Sequence, residues 1–168
     1  MFEPRYGKFV FKYKSTMKKI VLGNLVIMML LGSVNAQIIN PVQWNYTAKK
    51  IADKTFELHI TATIGDKWHI YAQDAGEGPV PTTLVYAANP LLKLDGTTKE
   101  VGKLEKAFDK NFNSTLKFYS KKVDFVQIVK MKSAVATTVK GTITYMVCDD
   151  SKCLPPKDVP FNISIGGK

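Results

Sequence analysis

The sequence contains few residues of the types that bind metals or form several cross-links. Its 168 residues include only two histidines and two cysteines. His59 and His69 have no second ligand at metal-binding spacing, and two cysteines with one distant histidine make a poor zinc set. Two cysteines also exclude a scaffold stabilised by a network of disulfides. We therefore expect neither a metal nor a disulfide-rich fold.

The chain also lacks clustered arginines, although its formal net charge is +10. Half of this positive excess lies within the first 36 residues. The lysines that follow are scattered among strand-like segments and lack an aromatic platform, which is not the pattern of a nucleic-acid surface. We interpret these lysines as a solvated surface and expect no nucleic acid as a partner.

The N-terminus has the three parts of a secretory signal peptide. Lys18 and Lys19 precede an apolar run over residues 20–32, and small residues follow up to Ala36. The run has about 13 residues, fewer than the roughly 20 that span a bilayer, and no second apolar run follows. We expect translation to start at Met17, cleavage after Ala36 and no stable membrane insertion afterwards; an uncleaved anchor is the alternative.

Residues 37–168 are predicted to form one domain, since they contain no repeat, linker or low-complexity segment and are enough to bury a core. Apolar and polar residues alternate along several segments, which predicts half-buried strands. The alternating sets are Phe56, Leu58, Ile60 and Ile64; Val123, Phe125, Gln127 and Val129; Val139, Gly141, Ile143, Tyr145 and Val147; and Val159, Phe161, Ile163 and Ile165. Six to eight strands, with one helical turn at residues 104–109, predict an all-β, immunoglobulin-like antiparallel β-sandwich. A small barrel is the structural alternative.

The spacing of the two cysteines is the most informative local feature. Cys148 and Cys153 enclose four residues, and two prolines follow Leu154. In the chain-entropy model, so small a ring stabilises a fold by roughly 2 kcal/mol, against about 4.7 kcal/mol for a ring of about 100 residues. A weak cross-link in an exported protein favours a redox pair. An ordinary local disulfide is one alternative, and a metal site or free thiols are the other.

The strand that is predicted to end at Val147 places both cysteines on a loop. The carboxylates of Asp149 and Asp150 disfavour a thiolate on Cys148, whereas Lys152 favours one on Cys153. Cys153 is therefore the better candidate for the exchanging sulfur.

Two segments of the chain resemble a known family. One is Cys-x4-Cys-Leu-Pro-Pro-Lys-x-Val-Pro-Phe at residues 148–161, after a Gly-Thr-Ile-Thr-Tyr strand; the other is Gly-Asp-Lys-Trp-His-Ile-Tyr at residues 65–71. They are similar to the N-terminal periplasmic domain of the DsbD thiol:disulfide interchange protein, and the resemblance covers residues 37–168. It implies an immunoglobulin-like fold and a periplasmic location. No part of the chain resembles the family's membrane-spanning or thioredoxin-like parts, so we expect a stand-alone form.

The resemblance also implies roles for four residues near the disulfide. Cys148 and Cys153 match the redox pair, with Cys153 as the sulfur that forms the mixed disulfide. His69 and Tyr71 match two tyrosines that flank the site in the family. The chain departs from the best-known members in two respects, because one residue fewer separates its cysteines and His69 replaces a tyrosine.

In the family an aromatic cap loop shields the disulfide. Its counterpart here is either Phe112, next to the partly matching acidic residue Asp109, or Phe118 and Tyr119 a few residues later. We favour Phe112 as the shielding residue.

Two functions are compatible with this sequence. In the first, the cysteine pair passes reducing equivalents from a thioredoxin-like domain or a membrane electron carrier to periplasmic thiol and disulfide proteins. This chemistry needs no cofactor and makes the chain a component of protein-disulfide reduction. In the second, the chain is an exported immunoglobulin-like binding module whose disulfide is structural.

Overall fold

The computed structural model describes residues 39–166, whose regular structure is entirely β. Nine strands follow one another, more than the predicted six to eight. They are β1 (Val42–Ala52), β2 (Thr55–Ile64), β3 (His69–Tyr71), β4 (Thr83–Tyr86), β5 (Leu92–Asp109), β6 (Ser114–Met131), β7 (Thr137–Tyr145), β8 (Val147–Cys148) and β9 (Lys157–Ile165). None of the described residues belongs to a helix that could span a lipid bilayer. The predicted signal peptide lies outside them.

The strands form two antiparallel sheets that pack face to face. The large sheet has the order β1-β2-β6-β3-β8, and β5 joins it by pairing with β6. The small sheet has the order β4-β7-β9. This architecture confirms the predicted all-β, immunoglobulin-like sandwich and rejects the small barrel.

The main core lies between the two sheets and follows from the alternation of apolar side chains along the strands. Phe125 of β6, Tyr145 of β7 and Phe161 of β9 are almost fully buried there. Trp44 of β1 packs edge-on against Tyr145, with 5.3 Å between the ring centroids. Burying a side chain such as Phe125 stabilises a fold by roughly 1.5 to 3 kcal/mol.

β5 and β6 form one long hairpin whose arms have 18 residues each. Pairing runs from Leu92 opposite Met131 to Asp109 opposite Ser114. The helical turn predicted at residues 104–109 is wrong, because these residues make their backbone hydrogen bonds with β6 instead. Two register shifts in β5 interrupt the ladder, and shifts of this kind bend and twist a hairpin.

The chain changes sheets at Met146. β7 ends at Tyr145 in the small sheet, and Val147 and Cys148 then form β8, which pairs with β3 in the large sheet. The continuous strand through Val147 that the sequence predicted is therefore wrong. Val147 lies in the main core, and since side chains alternate along a strand, Cys148 lies on the opposite, outer side of the large sheet.

Candidate functional site

The two cysteines form a disulfide at the outer side of the large sheet. The S–S distance between Cys148 and Cys153 is 2.02 Å, and their Cα atoms are 4.0 Å apart. The two residues lie directly opposite each other in an antiparallel bridge. We call residues 147–154 the cystine hairpin.

Hydrogen bonds close the cystine hairpin on both sides of the disulfide. The Leu154 N–H donates to the Val147 carbonyl at 2.9 Å. The Asp149 N–H donates to the Lys152 carbonyl, also at 2.9 Å. The Asp149 carboxylate accepts from the Ser151 N–H at 2.8 Å, the Ser151 hydroxyl at 2.7 Å and the Lys152 N–H at 2.9 Å. These donors, the Ser151 side chain most of all, lower the pKa of Asp149, so the turn is fixed by its own residues.

The two sulfurs differ in exposure. The Cys148 side chain is fully buried, whereas Cys153 is half-buried. Both belong to a small apolar group that is separate from the main core, which we call the outer cluster. Its buried members are Tyr71, Ala75, Leu116 and Cys148, and Phe112, Phe118, Met146 and Cys153 pack against them. An incoming thiolate therefore reaches Cys153 more readily than Cys148.

Phe112 contacts the outer cluster from the β5–β6 tip (residues 110–113). Its ring packs edge-on against Tyr71, with 5.8 Å between the centroids. Gly78, in the loop between β3 and β4, also contacts this ring, because a Cβ at Gly78 would lie 2.9 Å from Phe112 Cδ1. Gly78 has a φ of 120°, which only glycine adopts readily. The shape of this loop therefore depends on glycine and provides a surface for Phe112.

The other two aromatic candidates lie on opposite sides of β6. Phe118 packs against His69 in the neighbouring strand β3, with 4.6 Å between the ring centroids. Tyr119 lies in the main core instead, where burial and the Glu100 carboxylate raise its pKa to about 12. Phe118 is thus near the disulfide, whereas Tyr119 is not part of the outer cluster.

Asp109, at the end of β5, connects the outer cluster to the β5–β6 tip. Its Oδ2 accepts the Tyr71 hydroxyl hydrogen at 2.6 Å, and its Oδ1 accepts the Asn111 N–H at 2.8 Å. The Asn111 side-chain amide donates to the Asp149 carbonyl at 3.4 Å, which links the tip to the cystine hairpin. Burial raises the pKa of Asp109, but the hydrogen bonds from Tyr71 and Asn111 outweigh it and keep the pKa below its ordinary value. Asp109 is therefore ionised at neutral pH.

His69 is the buried histidine of the site and lies opposite Cys148 in the β3–β8 pairing. Its Nε2 is 3.4 Å from the Tyr71 hydroxyl oxygen and 3.6 Å from Asp109 Oδ2. Burial lowers the pKa of His69, and nearby carboxylates oppose this shift without cancelling it. The ring is therefore neutral at pH 7. Burial and the hydrogen bond to Asp109 raise the pKa of Tyr71, which stays protonated.

A groove of about 520 Å³ opens beside the cystine hairpin. Its lining includes His69 at the start of β3 and Trp68 just before it, the exposed side chain of Phe108 from β5, and both Asp149 and Asp150. The Nζ of Lys152 lies 5.8 Å from the ring centroid of Trp68, a cation–π contact that ties the turn of the cystine hairpin to this groove.

The structure brings together all six residues that the resemblance implied, namely Cys148, Cys153, His69, Tyr71, Phe112 and Asp109. Asn111 and Gly78 also hold the β5–β6 tip, and neither was predicted from the sequence as a site residue. Both stand in turn-forming segments, but the contact of Asn111 with Asp149 and that of Gly78 with Phe112 join residues that are distant in sequence. Within residues 39–166, no group of three or more His, Cys, Asp or Glu side chains could hold a metal ion.

The fold and the site together define a class of protein: an immunoglobulin-like β-sandwich with a hairpin disulfide between one buried and one accessible sulfur. The family model described as thiol:disulfide interchange protein DsbD, N-terminal, matches residues 35–164. The chain belongs to this family. The resemblance in the sequence is thereby confirmed, and thiol:disulfide interchange is the function that the family and the disulfide support.

The solved structures that are similar to the chain include two N-terminal domains. The DsbD N-terminal domain of Neisseria meningitidis, in its reduced form, is 20% identical with a TM-score of 0.51, and the match covers 80% of this chain and 96% of that one. The N-terminal periplasmic domain of ScsB from Proteus mirabilis is 17% identical with a TM-score of 0.54, over 78% of this chain and 49% of that one. No curated protein matches the chain.

Proposed function

We propose that this domain carries out thiol:disulfide exchange through Cys148 and Cys153. The proposal depends on the unequal exposure of the two sulfurs, of which Cys148 is buried and Cys153 half-buried. Exchange needs one sulfur that a partner's thiolate can reach and a second that leaves and returns within the protein. Family membership favours exchange over a binding module with a structural disulfide.

The reaction runs in two halves. A donor thiolate attacks Cys153 Sγ, a mixed disulfide forms, and Cys148 leaves with the electron pair; a second donor thiolate then frees Cys153. The domain is now a dithiol and the donor is a disulfide. In the second half Cys153 attacks a client disulfide, and Cys148 displaces the client from Cys153. This step restores the Cys148–Cys153 bond and leaves the client reduced, and thiols alone carry the electrons.

Phe112 shields the disulfide in the resting, oxidised domain, and Asp109 holds the tip that carries this ring. The contact of Phe112 with Tyr71 and the 2.6 Å hydrogen bond from Tyr71 to Asp109 support these roles. His69 completes the surroundings of the site beside Tyr71. A partner must displace the Phe112 ring before its thiolate can align with the bond between the sulfurs.

The electron donor is a thioredoxin-like domain or a membrane electron carrier, and the clients are periplasmic thiol and disulfide proteins. Residues 1–36 are an N-terminal lead and a signal peptide: translation starts at Met17, residues 17–36 direct export, cleavage follows Ala36, and residues 37–168 are the exchange domain. The basic, apolar and small-residue order of residues 18–36 supports export.

Trapping of the mixed disulfide tests the exchange function. A Cys148→Ser variant is mixed with a thioredoxin-like domain whose own resolving cysteine has been replaced and whose remaining cysteine carries thionitrobenzoate in a mixed disulfide, so that Cys153 can displace thionitrobenzoate as the leaving thiolate. Because Cys153 is then a reachable thiol without an internal partner, we expect a covalent complex that disappears on reduction. Non-reducing electrophoresis and mass spectrometry measure this complex.

The matched control is the Cys153→Ser variant, in which the remaining thiol is the buried Cys148. We expect it to form much less of the complex. Equal trapping by the two variants, or no trapping by Cys148→Ser, contradicts the proposal. A reduction potential far below the range of about −120 to −270 mV of known exchange proteins contradicts it as well and returns the disulfide to a structural role.

A further inference from the structure

His69 and Cys148 are cross-strand neighbours at the buried end of the site. They lie directly opposite each other in the β3–β8 pairing. Directly opposed residues of an antiparallel pair have Cβ atoms about 4.5 to 5.5 Å apart on the same face of the sheet. Both side chains are buried, Cys148 completely and His69 to 9% exposure. The imidazole is thus the titratable side chain that the strand register places against the buried sulfur.

The hydrogen bonds of the site fix which nitrogen of His69 carries the proton. The Tyr71 hydroxyl donates its only hydrogen to Asp109 Oδ2, so its oxygen is left as an acceptor for His69 Nε2, 3.4 Å away. In the neutral ring Nε2 is therefore protonated and Nδ1 is the basic nitrogen. Nδ1 makes no hydrogen bond with any residue from 39 to 166, so its lone pair is available.

Asp109 supports the protonated form of this ring. Its carboxylate Oδ2 lies 3.6 Å from Nε2. A proton accepted at Nδ1 would convert a neutral ring beside a carboxylate into an ion pair. The same order of groups, a sulfur, an imidazole and a carboxylate, activates nucleophilic thiols elsewhere in protein chemistry.

We propose that His69 is the acid–base catalyst of the buried cysteine, accepting the proton of Cys148 when this sulfur attacks and returning it when this sulfur leaves. The inference depends on the proposed exchange function and assigns the proton transfers within it. It also explains why a histidine, and not only an aromatic ring, suits this position in a chain whose buried sulfur must alternate between thiol and disulfide.

The proton and electron balance is simple in the resolving step. In the mixed disulfide between a client and Cys153, the Cys148 thiol gives its proton to His69 Nδ1. The Cys148 thiolate attacks Cys153 Sγ, the Cys148–Cys153 bond forms, and the bond to the client breaks. The client sulfur leaves with the electron pair and takes a proton from water or from the imidazolium. Reduction by the donor is the reverse: the donor thiol or water first gives a proton to His69, and His69 passes it to Cys148 as this sulfur leaves with the electron pair.

Charged groups around the ring and its burial together determine the pKa of His69. Asp109, Asp149 and Asp150 raise the pKa of His69, but its burial is the larger effect and lowers the pKa below 6.5. The groove that His69 lines also carries Glu105, Lys67, Lys110 and Lys121. His69 is therefore neutral, and able to accept a proton, at pH 7 and above.

The test separates the two chemical steps in one stopped-flow measurement. The reduced full chain is mixed with the disulfide of thionitrobenzoate, whose release is seen by its absorbance. Attack by Cys153 gives a first phase that depends on reagent concentration, and displacement by Cys148 gives a second phase that does not. In the wild type we expect a second-phase rate that is nearly constant above pH 7 and falls in acid, as His69 is protonated.

In a His69→Gln variant we expect a second phase slowed about tenfold or more at pH 7, since a thiol without a base is only a few per cent thiolate there. Its rate should rise with pH up to the thiol's own pKa of about 8.5. The first phase should not change. His59→Gln, in the other histidine of the described chain, is the matched control and should alter neither phase. His69→Tyr keeps an aromatic ring but has no neutral base. It should repeat the His69→Gln result, which would show that lost packing does not cause the slowing.

Three outcomes overturn the inference. One is a wild-type second phase that tracks a thiol pKa near 8.5, as expected when no base assists. Another is a second phase in both His69 variants that equals the wild type in rate and pH profile. The third is an equal loss in His59→Gln. Absence of any second phase in the wild type is a different result, because it contradicts the exchange function itself.

Discussion

The two faces of the large sheet at β3 and β8 differ in chemistry although they share a backbone. Toward the small sheet, Ile70 and Val147 join the main core, which consists of aliphatic and aromatic side chains. On the outer side, one residue away in each strand, Tyr71 and Cys148 join the outer cluster. There a carboxylate, a phenol and an imidazole surround the disulfide.

The two faces also differ in what covers them. The main core is closed by a second sheet, whereas Phe112 in the β5–β6 tip and the glycine loop after β3 cover the outer cluster. Loops open at a lower free-energy cost than paired strands, so a partner can reach the outer face without unfolding the sandwich. Stability therefore depends mainly on the inner face, and reactivity on the outer one.

The largest loss of stability is expected from a substitution on the inner face. Phe125→Ala removes a fully buried ring of the main core and should lower the free energy of unfolding by about 3 to 5 kcal/mol, because it leaves a cavity between the sheets. Phe108→Ala, on the other arm of the same hairpin, removes a ring that is 60% exposed and should change it by less than about 0.5 kcal/mol. Urea unfolding of the oxidised chains measures both free energies of unfolding. Similar losses in the two variants would contradict the conclusion that stability depends mainly on the inner face.

A smaller effect is expected from the polar contacts of the outer face. Asp109→Asn removes a charged acceptor from Tyr71 and Asn111 and should cost about 1 to 2 kcal/mol at pH 7. The folded-state pKa of Asp109 is below 3.8, so its contribution is present above that pH and is lost as the pH falls through the folded-state value.

The free energy of unfolding, measured from pH 7 down to pH 2, checks whether the contribution of Asp109 is lost in acid. The difference between the wild type and Asp109→Asn should shrink below pH 3.8. Asp53→Asn, in the exposed turn between β1 and β2, is the control and should have little effect at any pH. A difference for Asp109→Asn that is constant with pH would mean that its charge contributes nothing.

The smallest effect concerns the covering of the outer face alone. Gly78→Ala places a methyl group against Phe112 and should displace the ring, with a cost of about 1 kcal/mol. Reduction of the disulfide by dithiothreitol should then become about fivefold faster, because the exposed form is more populated. Gly96→Ala is the matched control: its φ is also positive, at 71°, but within the described chain nothing lies within 4 Å of the added carbon. Equal rates of disulfide reduction in the two variants would mean that Phe112 does not shield the disulfide.

The sequence predicted the sandwich because strand alternation is a local property. The alternating set from Phe56 to Ile64 corresponds to β2, and that from Val159 to Ile165 lies in β9. β8 has only two residues, too few for any period, so the change of sheets at Met146 was not predictable. At residues 104–109 the spacing of apolar residues also suits a helix, and only pairing with distant residues of β6 decides for a strand.

The same distinction between local and distant contacts holds for the site. The cysteine pair was predictable because six consecutive residues contain it. The position of His69 opposite Cys148 depends on strand register between segments far apart in sequence, and so does the contact of Gly78 with Phe112. Local composition signals such turns and strands, but it does not specify which distant residue each one meets.

The backbone hydrogen bonds of the cystine hairpin lie on either side of the bond between its sulfurs. A hairpin that keeps this ladder when reduced holds two thiols at an effective concentration well above the millimolar level that a short flexible linker gives. A client bound to Cys153 therefore competes with a neighbouring sulfur that is always present. The complex with the wild-type chain should be short-lived, and the hairpin thus determines how long each partner stays attached.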